Sequence, residues 1–356
     1  MYSLPDGIRA VDVVTDRLRM HCLDAGPADG TPVVLVHGNL STGLFFDELM
    51  ATAPAELRLV APDMRGFGRT ERKAIDATRG LRDWADDTAA LVHALGIDRP
   101  VHLVGWSTGG GAIMRYALDR PDAVASLTLF DPVSPYGFGA TSGDDGTPTS
   151  DDRAGSGAGL ANPEFVQRLR AGDRGADSDL SPRNVMRAFY WHPEFRMDPQ
   201  REDALVDEVL RTEVSDDGYP GDSAPSRNWP GVAPGGRGIL NALSGRWHDV
   251  SGIVDITPKP PILWVHGDGD LVISDASMFD AGMLGKLGVL PEWPGEDVHP
   301  PQPMVAQTRA VLGRYAAAGG TVREQLVTDS SHGPFIDHAA DCADLLWGFI
   351  GDHDAM

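Results

Sequence analysis

The chain has 356 residues, a formal net charge of −22 at pH 7 and a hydrophobic fraction of 42%. That size and apolar content fit one large folded domain, or a domain with a substantial insertion. The acidic balance excludes the basic surfaces typical of proteins that bind nucleic acids or anionic membranes. Only two cysteines are present, Cys22 and Cys342, which excludes a disulfide framework or a cysteine-rich metal site.

The first third of the chain alternates strand patterns with helix patterns. Apolar runs of strand type end in glycine-rich or aspartate-rich turns, and an amphipathic helix precedes the most apolar of them. The predicted elements are two strands in residues 8–24, strands at 32–36, 57–61, 101–106 and 125–130, and a helix at 83–95. Such alternation indicates a parallel sheet covered by helices on both faces.

The middle of the chain breaks this alternation. Residues 137–160 are rich in Gly, Ser, Thr and Asp, so we expect a mobile loop there. Helical patterns follow near 163–171, 183–191, 201–214 and 238–244. We therefore interpret residues 133–258 as a mostly helical cap inserted over the carboxyl ends of the strands, where ligands bind in such sheets. With the irregular segment 278–303, it predicts a covered pocket with a gated entrance.

The last third returns to the first pattern. A strand is predicted at 262–265, a helix at 304–317, a strand at 322–327 and a closing amphipathic helix at 340–350. The domain organisation we predict is a core formed by residues 1–132 and 259–356, interrupted by the cap at 133–258. The first residues lack a signal peptide pattern and no apolar run is long enough to span a bilayer, so a cytoplasmic protein is expected.

One motif stands at the junction of a strand and a helix. Gly105-x-Ser107-x-Gly109 follows the strand at 101–106 and opens a helical pattern. A serine on such a sharp turn has a strained backbone and an exposed hydroxyl, and a Cβ at either glycine would collide with a neighbouring strand or helix. The helix N-terminus behind the serine would stabilise negative charge. This nucleophile-elbow pattern predicts a reactive serine.

Further motifs join the elbow in a recognisable order. They are His37-Gly38-Asn39, Pro62-Asp63-x-Arg65-Gly66-x-Gly68, Gly105-Trp106-Ser107-Thr108-Gly109-Gly110, Gly267-Asp268-Gly269-Asp270 and Ser331-His332-Gly333-Pro334-Phe335. As a set, they make the chain similar to the α/β-hydrolase superfamily, and specifically to its capped esterase and lactonase-like members. The implied fold is a mostly parallel sheet with helices on both faces and an inserted helical cap.

The resemblance implies a Ser-His-Asp catalytic triad. Ser107 would be the nucleophile, and His332, in the loop after the last strand, would be the base that a serine hydroxyl needs. Asp270 lies at the usual acid position and would orient His332. Asp131, which ends the strand at 125–130, stays open as the alternative acid, because some members of the superfamily place it there. Asp268 is expected to shape its turn.

Two backbone N–H groups should form the oxyanion hole. One would be that of Thr108, directly after the nucleophile, and the other that of Asn39 or, alternatively, Leu40. His37 and His266 each end a buried strand before a glycine, and we expect both to be structural. Asp63 and Arg65 are expected to brace the sheet edge, with Arg65 paired to a carboxylate or a carbonyl.

The predicted activity is hydrolysis of a carboxylic ester or lactone through an acyl-enzyme on Ser107. Amide hydrolysis or carbon–carbon bond hydrolysis on the same triad stays open, and so does a small-molecule receptor of this fold with little turnover. No cofactor and no metal are expected, because the glycines at 105–111 lack dinucleotide-binding spacing and no metal-ligand spacing occurs. The expected partner is a small apolar ester or lactone, without nucleic acid or membrane, and the choice between a monomer and a homodimer stays open.

Overall fold

An eight-stranded sheet forms the centre of the protein, which a computed structural model describes for residues 2–354. Its strands run in the spatial order β1-β2-β4-β3-β5-β6-β7-β8. The contacts of β2 with β1 and β4 are antiparallel, and all other pairings are parallel. The strands are β1 (Ile8–Val14), β2 (Arg19–Ala25), β3 (Thr31–Val36), β4 (Leu57–Pro62), β5 (Val101–Trp106), β6 (Val124–Phe130), β7 (Ile262–Gly267) and β8 (Val322–Val327).

Helices cover this sheet and fill the insertion between β6 and β7. The sheet strands β3, β5 and β7 are buried along their whole length, as their continuous apolar runs predict for central parallel strands. The helices are α1 (Asp47–Ala51), α2 (Arg82–Ala94), α3 (Thr108–Asp119), α4 (Pro163–Ala171), α5 (Pro182–Phe189), α6 (Pro199–Val209), α7 (Ile239–Leu243), α8 (Ala281–Lys286), α9 (Met304–Ala317), α10 (Pro334–Asp337) and α11 (Ala339–His353). Among residues 2–354, no helix is both long and apolar enough to cross a bilayer.

Three cap helices begin with the same local chemistry. Asn162, Ser181 and Asp198 each precede a proline, and each side chain accepts hydrogen bonds from backbone N–H groups of the first helical turn. Proline is favoured at the first helical position because its missing N–H would have no partner there. This chemistry explains why α4, α5 and α6 begin within two residues of the predicted starts.

The cap is less helical than the sequence predicts. Besides α4–α7 it contains three two-stranded pairings outside the large sheet. They join Thr141–Ser142 to Thr147–Pro148, Val214–Ser215 to Tyr219–Pro220, and Ser223–Pro225 to Val232–Pro234. Strands of two or three residues are too short to produce a periodic pattern, so sequence analysis missed them.

The segment 137–160, predicted as a mobile loop from its composition, is held by specific hydrogen bonds. Gly139 N donates to Gln302 Oε1 at 2.5 Å, and Gln302 Nε2 donates to the carbonyl of Gly137 at 2.9 Å. The hydroxyls of Ser156 and Ser244 are 2.7 Å apart. These contacts hold the segment against the chain before α9 and the end of α7, so residues 137–160 are more extensively hydrogen-bonded than their composition predicted. Hydrogen bonds, rather than large apolar side chains, hold this segment in place, and composition alone does not reveal such bonds.

Candidate active site

The backbone at Ser107 has the conformation of a nucleophile elbow. Ser107 connects β5 to α3 with φ 56° and ψ −116°, a region that non-glycine residues rarely adopt and that costs about 1–3 kcal/mol. A Cβ on Gly105 would lie 2.6 Å from the carbonyl oxygen of Gly109, and one on Gly109 would lie 2.0 Å from that of Val36. Both glycines are therefore required for the helix to pack this closely on β5 and β3.

The loop after β3 lies directly against the elbow. A Cβ on Gly38 would be 3.0 Å from Ser107 Cβ. The Gly38 carbonyl accepts from His37 Nδ1 at 2.7 Å and from the Ser41 hydroxyl at 2.8 Å. Because a trans peptide points its N–H opposite to its carbonyl, the Asn39 N–H points away from these two donors.

Two backbone N–H groups near Ser107, those of Asn39 in the loop after β3 and of Thr108 after the elbow, have no acceptor among the described residues. Neither the N–H of Asn39 nor that of Thr108 forms a hydrogen bond within residues 2–354. Thr108 is the first residue of α3, whose N-terminal N–H groups have no partner in their own helix. The N–H groups of Asn39 and Thr108 thus remain available for an oxygen atom bound beside Ser107.

Asp270 and His332 form a buried hydrogen-bonded pair. His332 Nδ1 and Asp270 Oδ2 are 2.8 Å apart, and the residues are 3% and 5% exposed. The second oxygen, Oδ1, accepts from the N–H groups of Val272 at 2.6 Å and Ile273 at 3.1 Å. These three donors stabilise the Asp270 carboxylate and fix the His332 ring, so that Nε2 is the nitrogen left for a proton transfer.

Trp106, the residue before Ser107, fastens the loop that carries His332 (the histidine loop). Trp106 Nε1 donates to the His332 carbonyl at 2.6 Å, and the two rings are 5.4 Å apart between centroids. The hydrogen bonds between described residues do not include one from the Ser107 hydroxyl to His332 Nε2. In enzymes without substrate this bond is often long, and it tightens when the substrate binds.

Asp131, the alternative acid, lies beside Asp270 and not in its place. It ends β6 with φ 38°, and its Oδ1 accepts from Gly267 N at 3.2 Å. Potential ligand atoms of Asp131, Asp270 and His332 all lie within 4.8 Å of one another. Burial, and then the neighbouring Asp270, raise the pKa of Asp131 well above its usual range. The set therefore suits retention of a proton better than binding of a metal ion.

Other predicted residues have structural partners. His37 Nε2 accepts from the N–H of Met64 at 2.8 Å, and burial lowers the pKa of His37 to about 4, so its ring is neutral. His266 stacks on Trp264 and binds Glu324 at 3.0 Å. The sheet-edge residues behave similarly. Asp63 accepts from the N–H groups of Gly43 and Arg69.

Arg65 has both kinds of partner that the sequence suggested. Its guanidinium donates to the Asp87 carboxylate through Nε and Nη2, each at 2.8 Å, and to the carbonyl of Ala74 at 3.0 Å. Asp268 lies in the turn directly after β7 and is exposed, and its N–H donates to the carbonyl of Val327. None of these contacts reaches Ser107.

Tyr190, at the end of cap helix α5, belongs to the aromatic run 189–191 and was not among the predicted catalytic or oxyanion-hole residues. Its hydroxyl lies 3.2 Å from the carbonyl oxygens of both Asn39 and Leu40. Its ring packs edge-on against Trp106 with centroids 5.3 Å apart. Its own carbonyl accepts from Gly333 N at 2.8 Å. Tyr190 therefore touches three parts of the site at once: the loop after β3 that carries Asn39 and Leu40 (the oxyanion loop), strand β5, and the histidine loop.

Asp337 is a second residue that sequence analysis missed. Its carboxylate accepts from the Ser330 hydroxyl at 2.7 Å and from Ser331 N at 3.0 Å, just before His332. It also accepts from His192 N of the cap at 2.8 Å. A lone Asp at the start of the closing helices carries no motif, so only the folded structure shows that it ties the histidine loop to the cap.

These features define the class of protein. Residues 31–280 match the sequence family described as the alpha/beta hydrolase fold, which is well over half of the chain. The strand order, the elbow and the positions of Asp270 and His332 agree with that match. The chain belongs to the α/β-hydrolase fold family.

Individual relatives resemble only part of the chain. It is 36% identical over 127 residues to a non-heme chloroperoxidase from Streptomyces lividans, covering 35% of this chain and 45% of that protein. It is 35% identical over 127 residues to a bifunctional esterase/perhydrolase from Acinetobacter calcoaceticus, with the same coverage of 35% and 45%. The chain thus spans less than half the length of these curated relatives.

Solved structures show the same fold over the whole chain. An esterase from Rhodococcus sp. ECU1013 superposes with a TM-score of 0.59 at 19% identity, covering 98% of this chain and 99% of that one. The relatives and structural neighbours include esterases, so the protein is a hydrolase-family member with esterase-like relatives.

Proposed function

We propose that this protein is a serine hydrolase that cleaves a carboxylic ester or lactone through an acyl-enzyme on Ser107. The observation that carries the proposal is the strained elbow serine beside two unpaired N–H groups, together with the buried hydrogen bond between His332 and Asp270. A free serine hydroxyl is a weak nucleophile, and this arrangement provides a base, an acid that orients the base, and donors for the oxyanion.

The reaction follows from the positions of these groups. Ser107 Oγ attacks the substrate carbonyl while His332 Nε2 takes the hydroxyl proton. The carbonyl oxygen becomes an oxyanion that accepts from the N–H groups of Asn39 and Thr108. His332 then gives its proton to the leaving alkoxide, and the acyl group stays on Ser107. Water, deprotonated by His332, attacks the acyl-enzyme and releases the acid and the free serine.

The surroundings of Ser107 favour an apolar acyl group. Trp106 lies at the centre of an aromatic cluster with Phe45, Tyr190 and Phe335, at centroid distances of 5.3–5.6 Å. Ser107 itself is only 7% exposed. Because the site is buried next to this apolar cluster, a charged acyl chain would lose its hydration on binding, so the proposed substrates are small neutral esters or lactones.

Hydrolysis of p-nitrophenyl esters of increasing acyl length tests the proposal. We expect wild-type turnover and a loss of roughly 10³-fold or more in Ser107→Ala. Ser223→Ala, a change of an exposed cap serine, should keep wild-type activity. Equal turnover by wild type and Ser107→Ala would refute the proposal.

Two further arms separate the other activities. Matched p-nitroanilides separate ester from amide hydrolysis, since a dedicated esterase leaves them intact. An inert wild type that binds a ligand tightly and gains thermal stability with it would instead indicate a receptor.

A further inference from the structure

The aspartate next to the proposed triad has no assigned task. We propose that Asp131 is a positioning residue that carries a proton at neutral pH and donates it in a hydrogen bond to Asp270. This inference rests on the proposed function for its catalytic consequence, although the protonation itself can be tested without a substrate.

The geometry places the two carboxyl groups side by side. Asp131 follows β6 and Asp270 follows β7, which pair in parallel through Phe130 and Val265. Asp131 N donates to the carbonyl of Val265 at 3.0 Å, and Asp131 Oδ1 accepts from Gly267 N. These two backbone bonds fix the Asp131 carboxyl at the carboxyl end of the sheet, where Asp270 also lies.

One oxygen of Asp131 lacks a donor. Oδ2 is fully buried and has no hydrogen-bond partner if the carboxyl is ionised. A buried acceptor without a donor is destabilising, and more so when the group is charged. A proton on Asp131 turns one of its oxygens into a donor. The Asp270 carboxylate can accept from it, since an oxygen of Asp270 lies within 4.8 Å of an oxygen of Asp131. Protonation therefore satisfies an atom that ionisation leaves unpaired.

Among the groups that face Asp131, the neighbouring carboxylates favour a neutral carboxyl. The facing groups are Asp270 and His332, Asp337 of α10, and the buried thiol of Cys342 in α11. Within residues 2–354, the ion pairs of Asp131 and Asp270 include His332 but no Lys or Arg. Two buried carboxylates at this separation cannot both ionise without a cation.

The proton belongs on Asp131 because its neighbour has more donors. Asp270 accepts from two backbone N–H groups and from His332, whereas Asp131 accepts from one N–H group. A carboxylate with more donors keeps its charge more easily. His332 thus faces a single negative charge, and the hydrogen bond from Asp131 holds Asp270 in the plane of the imidazole.

A difference infrared spectrum measures the protonation directly. We expect the spectrum of wild type minus Asp131→Asn, at neutral pH, to contain the C=O stretch of a protonated carboxylic acid. Carboxylate bands in its place would overturn the proposal. This readout needs no turnover, so it stands even if the esterase proposal fails.

Kinetics of four variants measure the consequence. Asp131→Asn is neutral and keeps a donor, so its kcat should stay within about threefold of wild type, whereas Asp131→Leu should lose about tenfold in kcat with little change in KM. In Asp270→Asn the freed Asp131 can ionise beside His332, so adding Asp131→Asn to it should cost a further tenfold or so. If Asp131→Asn falls as far as Asp270→Asn, or if the double variant equals Asp270→Asn, the proposal is wrong.

Discussion

Arg201 and Asp47 form a buried ion pair between the cap and the core, and breaking it tests what holds the cap in place. Arg201 lies in α6 and Asp47 begins α1, which follows the oxyanion loop in sequence. Arg201 Nε and Nη2 lie 3.2 and 2.9 Å from Asp47 Oδ1, with side chains 2% and 0% exposed. Arg201→Met removes the cation, keeps much of the volume, and leaves the carboxylate buried without it.

The expected cost is large because burial removes the screening by water. Removing one partner of a buried pair typically costs about 3–5 kcal/mol. With an unfolding entropy of about 2.1 cal/mol/K per residue, 356 residues convert that cost into a fall of about 4–7 °C in Tm. Arg174→Met provides the control, since it breaks the exposed pair of Arg174 with Asp207, which lies in α6 like Arg201. That change should cost at most about 1 kcal/mol.

Thermal unfolding and ester hydrolysis together test whether the Arg201–Asp47 pair holds the cap on the core. Arg201→Met should lower Tm several times more than Arg174→Met, and activity should fall with it because α1 follows the oxyanion loop. The double change Arg201→Met with Asp47→Leu should recover much of the stability, since no fully buried charge is left without a partner. Glu48, which lies 3.0 Å from Arg201 Nη1, also loses its cation, but its side chain is 46% exposed and stays hydrated. A Tm loss in Arg201→Met no larger than in the control would refute this account of the cap.

Two further outcomes follow from the site and its surroundings. Tyr190→Phe keeps the ring but removes the hydroxyl from the oxyanion loop, so kcat should drop about 3- to 10-fold with KM nearly unchanged, while Tyr136→Phe leaves kcat unchanged. Burial lowers the pKa of His248 from 6.5 to about 4. The unfolded chain therefore binds the extra proton between those pH values, and stability falls as the pH drops through them, by roughly 3 kcal/mol at most for this group. Urea unfolding should show His248→Gln to be less sensitive to acid than wild type.

The sheet and the elbow could be predicted because they depend on local patterns. Continuous apolar runs mark β3 and β5, and glycine spacing marks the turn at Ser107. A Cβ at Gly105 or Gly109 would approach a backbone carbonyl too closely, which explains why no other residue fits at these two positions. Proline after a capping residue marks the starts of the cap helices. Each of these signals lies within a few residues of the feature it predicts.

The contacts between cap and site could not be predicted in this way. Tyr190 is separated by about 150 residues from the loop whose carbonyls it binds. Its neighbours Phe189 and Trp191 are equally aromatic, so composition does not distinguish the residue that reaches the oxyanion loop. The prediction for residues 137–160 missed contacts of another kind. Small polar residues there are held by hydrogen bonds to Gln302 and Ser244, which composition does not reveal.

The two candidate acids show why a choice from sequence stays open when strands are neighbours. Asp131 and Asp270 each follow a strand, and β6 and β7 pair directly, so the parallel topology must place both side chains at the same edge. Sequence position alone cannot rank them. The ranking depends on the three donors that reach Asp270 and the single N–H that reaches Asp131. A residue considered as a competitor for the acid role is thus better understood as the neutral partner of the acid, which makes Asp131→Asn the most informative single substitution in the site.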